Sequence, residues 1–510
     1  MPDGFTSRSI SHVSTVPDSG TTPFNRSVPR DARIGSVRPR LLHTGSPLLP
    51  LSHELDSFAS PEAFDPGLQD FLHQASDLLC HWLAGASGRP PLPSVRRQPD
   101  IAPGPIGADS RQLLTDLQQV MEGAFQPSHP GALAHLDPPP LTASIAAELI
   151  CAGMNNNLLA EELSPGLSDL ERQLCRWFAL RLGLPDSGGG VLASGGTLSN
   201  LMGLLVARDR LPEQQRQEGV VICSADAHVS LLKATRVMGL RGDGLQRLPV
   251  DDDGCMAPEA LEQALRDLQE QGRSCIAVVA TAGTTVRGAV DPLTAMAAIC
   301  RGHNVWLHVD AAIGGVFALA GTTTALMDGI ALADSITLNP QKLLGITKAS
   351  SLLLLRDPSL LRATFSTGLP YMDTAVGDHH GGEAGLQGTR PAEILKLWLG
   401  LRQLGEAGIE QLLQAALDRR NSVCRRLDAE RLDVLSGTLH LLAFRPRGIH
   451  GSEADLWCET TRRALLQQGF MLSRPHHGQG RCLKAVFGNP HTSEEHLARL
   501  STLINALVDR

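Results

Sequence analysis

Short apolar runs without polar alternation recur between residues 188 and 357: Gly190-Val-Leu, Val220-Val-Ile-Cys223, Cys275-Ile-Ala-Val-Val279, Val305-Trp-Leu-His-Val309, Ser335 to Leu338 and Ser351 to Leu355. Segments of helical spacing alternate with most of them; Leu261, Leu265 and Leu268, after Pro258, form one such face. A strand without polar alternation is apolar on both faces, and helical crossovers between parallel strands supply the cover it needs. The texture therefore predicts an α/β fold, with a large domain whose mostly parallel sheet is covered by helices on both faces. In such sheets ligands bind beyond the carboxyl ends of the strands.

The flanks read differently. Ser60-Pro61-Glu62 is a plausible helix start, and Arg89 to Pro105 is a Pro-rich extended arm. From Asp109 to Leu182 the pattern is mainly helical, broken by Pro127-Ser-His-Pro130, Pro138-Pro-Pro140 and Ser164-Pro165. Glu393 opens a long amphipathic helix region that leads to strand-like runs at Leu439 to Phe444 and Cys482 to Phe487. Thr492-Ser-Glu-Glu495 reads as a capping box before a helix with the apolar face Leu497, Leu500, Ile504 and Leu507. Residues 1–55 are rich in Ser, Pro, Thr and Arg and show no hydrophobic period. The expected division is a disordered tail (1–55), an N-terminal helical segment (56–187), the large domain (188–392), and a C-terminal helix with a small α/β domain (393–510).

Composition narrows the function. With 42% hydrophobic and 19% charged residues over 510, the chain has ample material for a sizeable core. A formal net charge of −8 gives no reason to expect nucleic acid or an anionic membrane as partner. No apolar run reaches the roughly 18 residues of a membrane span. The 10 cysteines are scattered singly, without C-x-x-C pairs or zinc spacing. They fit buried small hydrophobes in a reducing, cytoplasmic setting and suggest no metal site.

The strand ends carry the chemistry. Ala193-Ser-Gly-Gly-Thr-Leu-Ser-Asn200, between a strand and a helix, exposes backbone N–H groups and hydroxyls to an anion. The next strand ends in Ser224-Ala-Asp-Ala-His228, and another delivers Ala280-Thr281-Ala-Gly-Thr-Thr285. Val305-Trp-Leu-His308-Val-Asp310 is followed only by small residues, so Asp310 needs a cationic neighbour or a helix to cap. Asn339-Pro-Gln-Lys342 places a lone lysine between two apolar runs, where desolvation turns an amine into a nucleophile. An anion cradle, a ring-sized His, an acid able to pair with a pyridinium and a desolvated Lys are the protein parts that pyridoxal phosphate (PLP) requires.

With these motifs the sequence resembles the group II PLP-dependent amino-acid decarboxylases, of PLP fold type I. The likeness runs from about Pro127 to the carboxyl terminus. It includes His129-Pro130, Asn155 to Asn157, Ser164-Pro165 with Leu170-Glu171, Arg390 with Lys396-Leu-Trp398, and Gly488-Asn-Pro490 with Thr492. Gly196-Thr-Leu-Ser-Asn200 and Asn339-Pro-Gln-Lys342-Leu-Leu-Gly are more like the glutamate and cysteine-sulfinate decarboxylases than the aromatic ones. The resemblance implies that Lys342 forms the internal aldimine, Asp310 pairs with the pyridine nitrogen and His228 stacks on the ring. It further implies that Gly195, Gly196, Thr197 and Asn339 hold the phosphate, that Thr281 and Ala312 line the ring, and that Arg390 binds a substrate carboxylate. It also implies a homodimer with a shared active site.

Two departures stand out. The family usually has His before the Schiff-base lysine, and here Gln341 occupies that place, able to donate to phosphate but not to carry charge. The proton-donating loop tyrosine of many members corresponds to His379, in Gly377-Asp-His379-His380; the single tyrosine, Tyr371, lies eight residues earlier. Histidine is a competent general acid near neutral pH; the alternative is a solvated residue in a Gly-rich loop. The implied activity is α-decarboxylation of a small L-amino acid such as glutamate, aspartate, cysteine sulfinate or 2,4-diaminobutyrate. Decarboxylation-coupled oxidative deamination giving an aldehyde, or a PLP-binding paralogue without turnover, are the other readings.

Overall fold

A computed structural model describes residues 57–93, 98–370, 380–478 and 480–508. Residues 69–510 form one compact unit; the described residues before it, 57–68, carry only the first turn of the helix Pro66–Ala84. That helix begins at the proline, where φ is already helical and no N–H is wasted, rather than near Ser60.

Seven strands make the large sheet: β1 (Gly189–Ala193), β2 (Val220–Ser224), β3 (Leu245–Leu248), β4 (Cys275–Thr281), β5 (Trp306–Ala311), β6 (Ser335–Leu338) and β7 (Ser351–Leu355). Their spatial order is β1-β7-β6-β5-β4-β2-β3. The run from β3 to β6 is parallel throughout, while β7 is antiparallel to both β6 and β1. Alternate side chains of one strand enter opposite cores, because successive Cβ atoms leave opposite faces. Val278, Leu307, Val309 and Ile336 pack on one side, and Ala277, Val279, Trp306 and Leu353 on the other. The edge strand β3, Leu-Gln-Arg-Leu, escapes the pattern because a short, half-exposed edge needs no apolar run.

The carboxyl-terminal unit is a three-stranded antiparallel sheet of Leu432–Leu435, Leu441–Pro446 and Leu483–Val486. Phe444, Leu483 and Phe487 form its core with Leu465 of the helix Gly451–Gln467 and with Leu497, Leu500 and Ile504 of the helix Glu494–Ala506. The cap of that last helix is Ser493, in a capping box with His496, not Thr492. Thr492 instead donates its hydroxyl to the carbonyl oxygen of Pro130, 2.7 Å away.

The long helix Ile394–Arg426 departs from helical angles at Gly405 (φ 62°, ψ 177°), a conformation that suits glycine. Its Lys396 is fully buried. The ammonium pairs with Glu148 at 2.9 Å and donates to the carbonyl oxygen of Lys348 at 3.0 Å. A buried ammonium without these partners would be costly, so Lys396 clamps the turn after Lys342 to the helix Thr142–Met154.

Candidate active site

One cavity at the carboxyl edge of the large sheet collects most of the sequence candidates. Gly196, Thr197, His228, Thr281, Asp310, Ala312, Asn339 and Lys342 line it, with Asn200, Gly283, Thr285 and Ile313. A larger cavity, about 460 Å³, lies around Glu171, His380 and Arg390, but it holds none of the strand-end chemistry. Convergent polar and titratable groups, rather than size, mark the site.

Lys342 ends a single 3₁₀ turn, Pro340–Lys342, directly after β6. Burial pushes its amine below the ordinary lysine range, against the opposing pull of Asp310 and Asp137. Asp310 is the penultimate residue of β5, with Oδ2 accepting from Asn200 Nδ2 at 2.8 Å and Oδ1 accepting from the Ala312 N–H at 3.2 Å. Burial likewise holds the His228 imidazole below its usual value. Its Nδ1 accepts from the Ser230 N–H at 3.2 Å, so the neutral ring carries its proton on Nε2.

Gly195 adopts φ 154°, ψ 161°, and no atom lies within 4 Å of where its Cβ would stand. The chain thus turns from β1 into the helix Gly196–Asp209 beside open space, as an anion cradle needs. Asn339 rests its amide on Ser351 Oγ, 2.7 Å away. Thr281 Oγ1 is buried without a protein partner, a polar atom left for a bound group. An amine for covalent attachment, an ionisable acid for a ring nitrogen, an imidazole for a ring face and a small-residue cradle fit PLP. Among the described residues no cluster of metal-ligating side chains occurs.

Among the described residues two candidates stand elsewhere. Gln341 is not on the cavity wall; its Oε1 accepts from the Ser350 N–H, which leaves only Nε2 to donate. Arg390 is buried in the larger cavity and bound bidentately to Glu171, 2.8 Å on each arm. A guanidinium taken out of water needs a counter-ion, and Glu171 is it. His379 and Tyr371 lie outside the described residues.

Sequence patterning also missed two residues. Asn200 stands at the end of a recognised motif yet contacts Asp310 directly. Lys484, on the strand Leu483–Val486, sends its ammonium to the carbonyl oxygen of Thr285 on the cavity wall, 3.3 Å away. Burial and the nearby Lys342 charge push its pKa down to about 8. The available signal was a lone lysine inside an apolar run, the feature that marks Lys342.

Comparison with known proteins agrees with this geometry. Residues 93–431 match the family described as the pyridoxal-dependent decarboxylase conserved domain. L-2,4-diaminobutyrate decarboxylase of Rhizobium meliloti (strain 1021) is 32% identical over 411 residues, covering 79% of this chain and 83% of that protein. Cysteine sulfinic acid decarboxylase of Homo sapiens is 32% identical over 329 residues, covering 61% and 65%. The crystal structure of mouse CSAD superposes with a TM-score of 0.80 at 25% identity, covering 87% of this chain and 99% of that one. The chain belongs to the pyridoxal-dependent decarboxylase family: it is an amino-acid decarboxylase whose cofactor is PLP.

Proposed function

We propose that the substrate is a small, non-aromatic L-amino acid whose α-carboxylate leaves as carbon dioxide at the cavity around Lys342. The supporting observation is the joint placement of Lys342, Asp310, His228 and Lys484 about that cavity. Bound there, PLP supplies an electron sink for the pair released when the Cα–carboxylate bond breaks. Lys342 anchors the cofactor covalently, since a desolvated amine keeps a larger neutral fraction than an exposed one. Asp310 would accept from the ring nitrogen, His228 would cover a ring face, and Gly195, Gly196 and Thr197 would hold the phosphate.

Lys484 receives the substrate carboxylate in this scheme. It is a buried cation whose donors, among the described residues, meet only a backbone carbonyl, whereas Arg390 is committed to Glu171. The described cavity lining contains no Phe, Tyr or Trp, which supports a small side chain. Glutamate, aspartate, cysteine sulfinate and 2,4-diaminobutyrate remain the candidate class. Leu113, Leu117 and Val120 form an exposed apolar stripe on the helix Ser110–Glu122, and a second copy of the chain is the proposed cover.

Borohydride reduction followed by peptide mapping tests the anchor: a pyridoxyl group belongs on Lys342, and a label on another lysine overturns the assignment. An amino-acid panel scored for carbon dioxide and hydrogen peroxide tests the rest. Carbon dioxide without peroxide is expected. Peroxide and ammonia in proportion to carbon dioxide would mean oxidative deamination, and no turnover with PLP bound would mean a binding protein.

A further inference from the structure

The acid expected to meet the ring nitrogen is the end of a buried, one-directional chain of hydrogen bonds. Trp306, His308 and Asp310 alternate along β5 and therefore share one face; Ser335 stands beside His308 on β6. The helix Gly196–Asp209 brings Asn200 onto that face. Trp306 Nε1 donates to Ser335 Oγ at 2.8 Å, and Ser335 Oγ lies 2.7 Å from His308 Nδ1. His308 Nε2 lies 3.1 Å from Asn200 Oδ1, and Asn200 Nδ2 donates to Asp310 Oδ2 at 2.8 Å and to Ser230 Oγ at 3.0 Å. His308 and Ser335 are wholly buried, and Asn200 is 1% exposed.

The direction follows from the donor inventory. A carboxylate only accepts, so Asn200 must turn its NH₂ to Asp310 and its oxygen to His308. His308 Nε2 must then carry the proton that Asn200 Oδ1 accepts. Burial pushes the His308 pKa down to about 4, so the ring is neutral near pH 7 and Nδ1 is bare. Ser335 therefore donates to Nδ1 while accepting from Trp306. Every donor in the chain points toward Asp310, and such chains polarise one another in a dry interior.

The helix is shaped for this ring: a Cβ on Gly203 would lie 2.8 Å from His308 Cε1 and 2.9 Å from Nδ1. Only glycine leaves the imidazole room, although Gly203 sits inside the helix Gly196–Asp209, where glycine is unfavourable.

We propose that Asn200 and His308 are positioning residues that aim Asp310 Oδ1 into the cavity as a carboxylate and so set how strongly the site prefers a ring that bears a nitrogen. This rests on the reading that Asp310 pairs with the PLP ring nitrogen. Binding of two cofactors to the apoprotein separates the two ideas: PLP, and its 1-deaza analogue, in which carbon replaces that nitrogen. The readout is the ratio of the two dissociation constants, measured by quenching of protein fluorescence at equilibrium. The unaltered protein should prefer PLP. Asn200→Leu should cut the preference by about tenfold, the scale of one hydrogen bond to a charged group.

His308→Leu should cut the preference similarly, and His308→Gln, which can still donate to Asn200, should restore part of it. Ser335→Ala, a smaller change that leaves the core filled, should cut it by about twofold to threefold at the far end of the chain. Equal weakening of both cofactors in all four variants would make the chain merely structural and overturn the inference. No preference in the unaltered protein would overturn the pairing of Asp310 with the ring nitrogen instead.

Discussion

The ammonium of Lys484, on the small sheet, donates to the carbonyl oxygen of Thr285, 3.3 Å away in the loop after β4. The bond brings a buried cation from the carboxyl-terminal sheet to a cavity lined by residues between Gly196 and Lys342. Among the described residues no acidic side chain forms an ion pair with it. Lys484→Met should therefore raise KM for the amino acid by about tenfold or more, the scale of a charge-assisted hydrogen bond, and leave bound PLP unchanged. Lys484→Arg should keep most of the affinity. Because the ammonium titrates at about 8, it is charged below that pH, and KM should climb as pH rises through 8. The Met variant should lose this climb. A KM that ignores both the substitution and the pH would remove Lys484 from substrate binding.

Arg390 and Glu171 give a stability prediction. Both side chains are buried, and Glu171 Oε1 also accepts from the Leu192 N–H at 3.4 Å, so the pair locks the helix Pro165–Arg181 to β1. Arg390→Met leaves Glu171 buried without its counter-ion, at a cost of about 3–5 kcal/mol in chemical denaturation. The double variant Arg390→Met/Glu171→Leu should cost less than Arg390→Met, since no charge is left unpaired. An Arg390 that bound substrate instead would show a raised KM with unchanged stability.

How far such pairs are visible in a sequence depends on what enforces them. The strands β4 to β7 are legible because burial on both faces forces unbroken apolar runs, and the strand-end residues Lys342, Asp310, His228 and Thr281 are legible because the carboxyl edge of a parallel sheet is where ligands bind. Arg390 is a different case. Its chemistry suits a substrate carboxylate, but a carboxylate 219 positions away in the chain reaches it first, and that distance in sequence carries no local signal. Lys484 was hidden by the mirror of this problem. Its strand meets the loop after β4 only in three dimensions, so the lone lysine in its run gives a signal but not the cavity it serves. Asn200 illustrates a third limit, because a motif shows that a polar residue is present without showing which neighbour it serves.

Glu383 predicts an acid-sensitive segment. Its carboxylate accepts from the Thr367 N–H at 2.9 Å, the Gly368 N–H at 2.8 Å, the Thr367 hydroxyl at 2.9 Å and the Ser366 hydroxyl. Burial alone would raise its pKa, but these donors outweigh it and hold the carboxyl down to about 2. A folded pKa below the ordinary value of about 4.3 means the stabilisation is complete above that pH and fades as pH falls toward 2. The protection of the Thr367 and Gly368 amides, relative to an unstructured peptide at the same pH, should fall between those limits in the unaltered protein. Glu383→Gln should show fast exchange already at pH 7. Slow exchange in that variant would mean that other contacts hold these residues.

Gly203 joins stability to cofactor choice. An alanine there places Cβ 2.8 Å from a ring atom of His308, and the ring is held on both sides, by Ser335 and by Asn200. It has no flexible end that could swing aside. Gly203→Ala should destabilise the apoprotein by about 1–3 kcal/mol through overpacking, despite the better helix propensity of alanine. It should also weaken PLP more than the 1-deaza analogue, because displacing His308 loosens Asn200 from Asp310. Adding His308→Ser makes room for the methyl group, so the melting temperature should recover while the preference for PLP does not. Recovery of both together would show that the ring acts only by filling space beneath the helix.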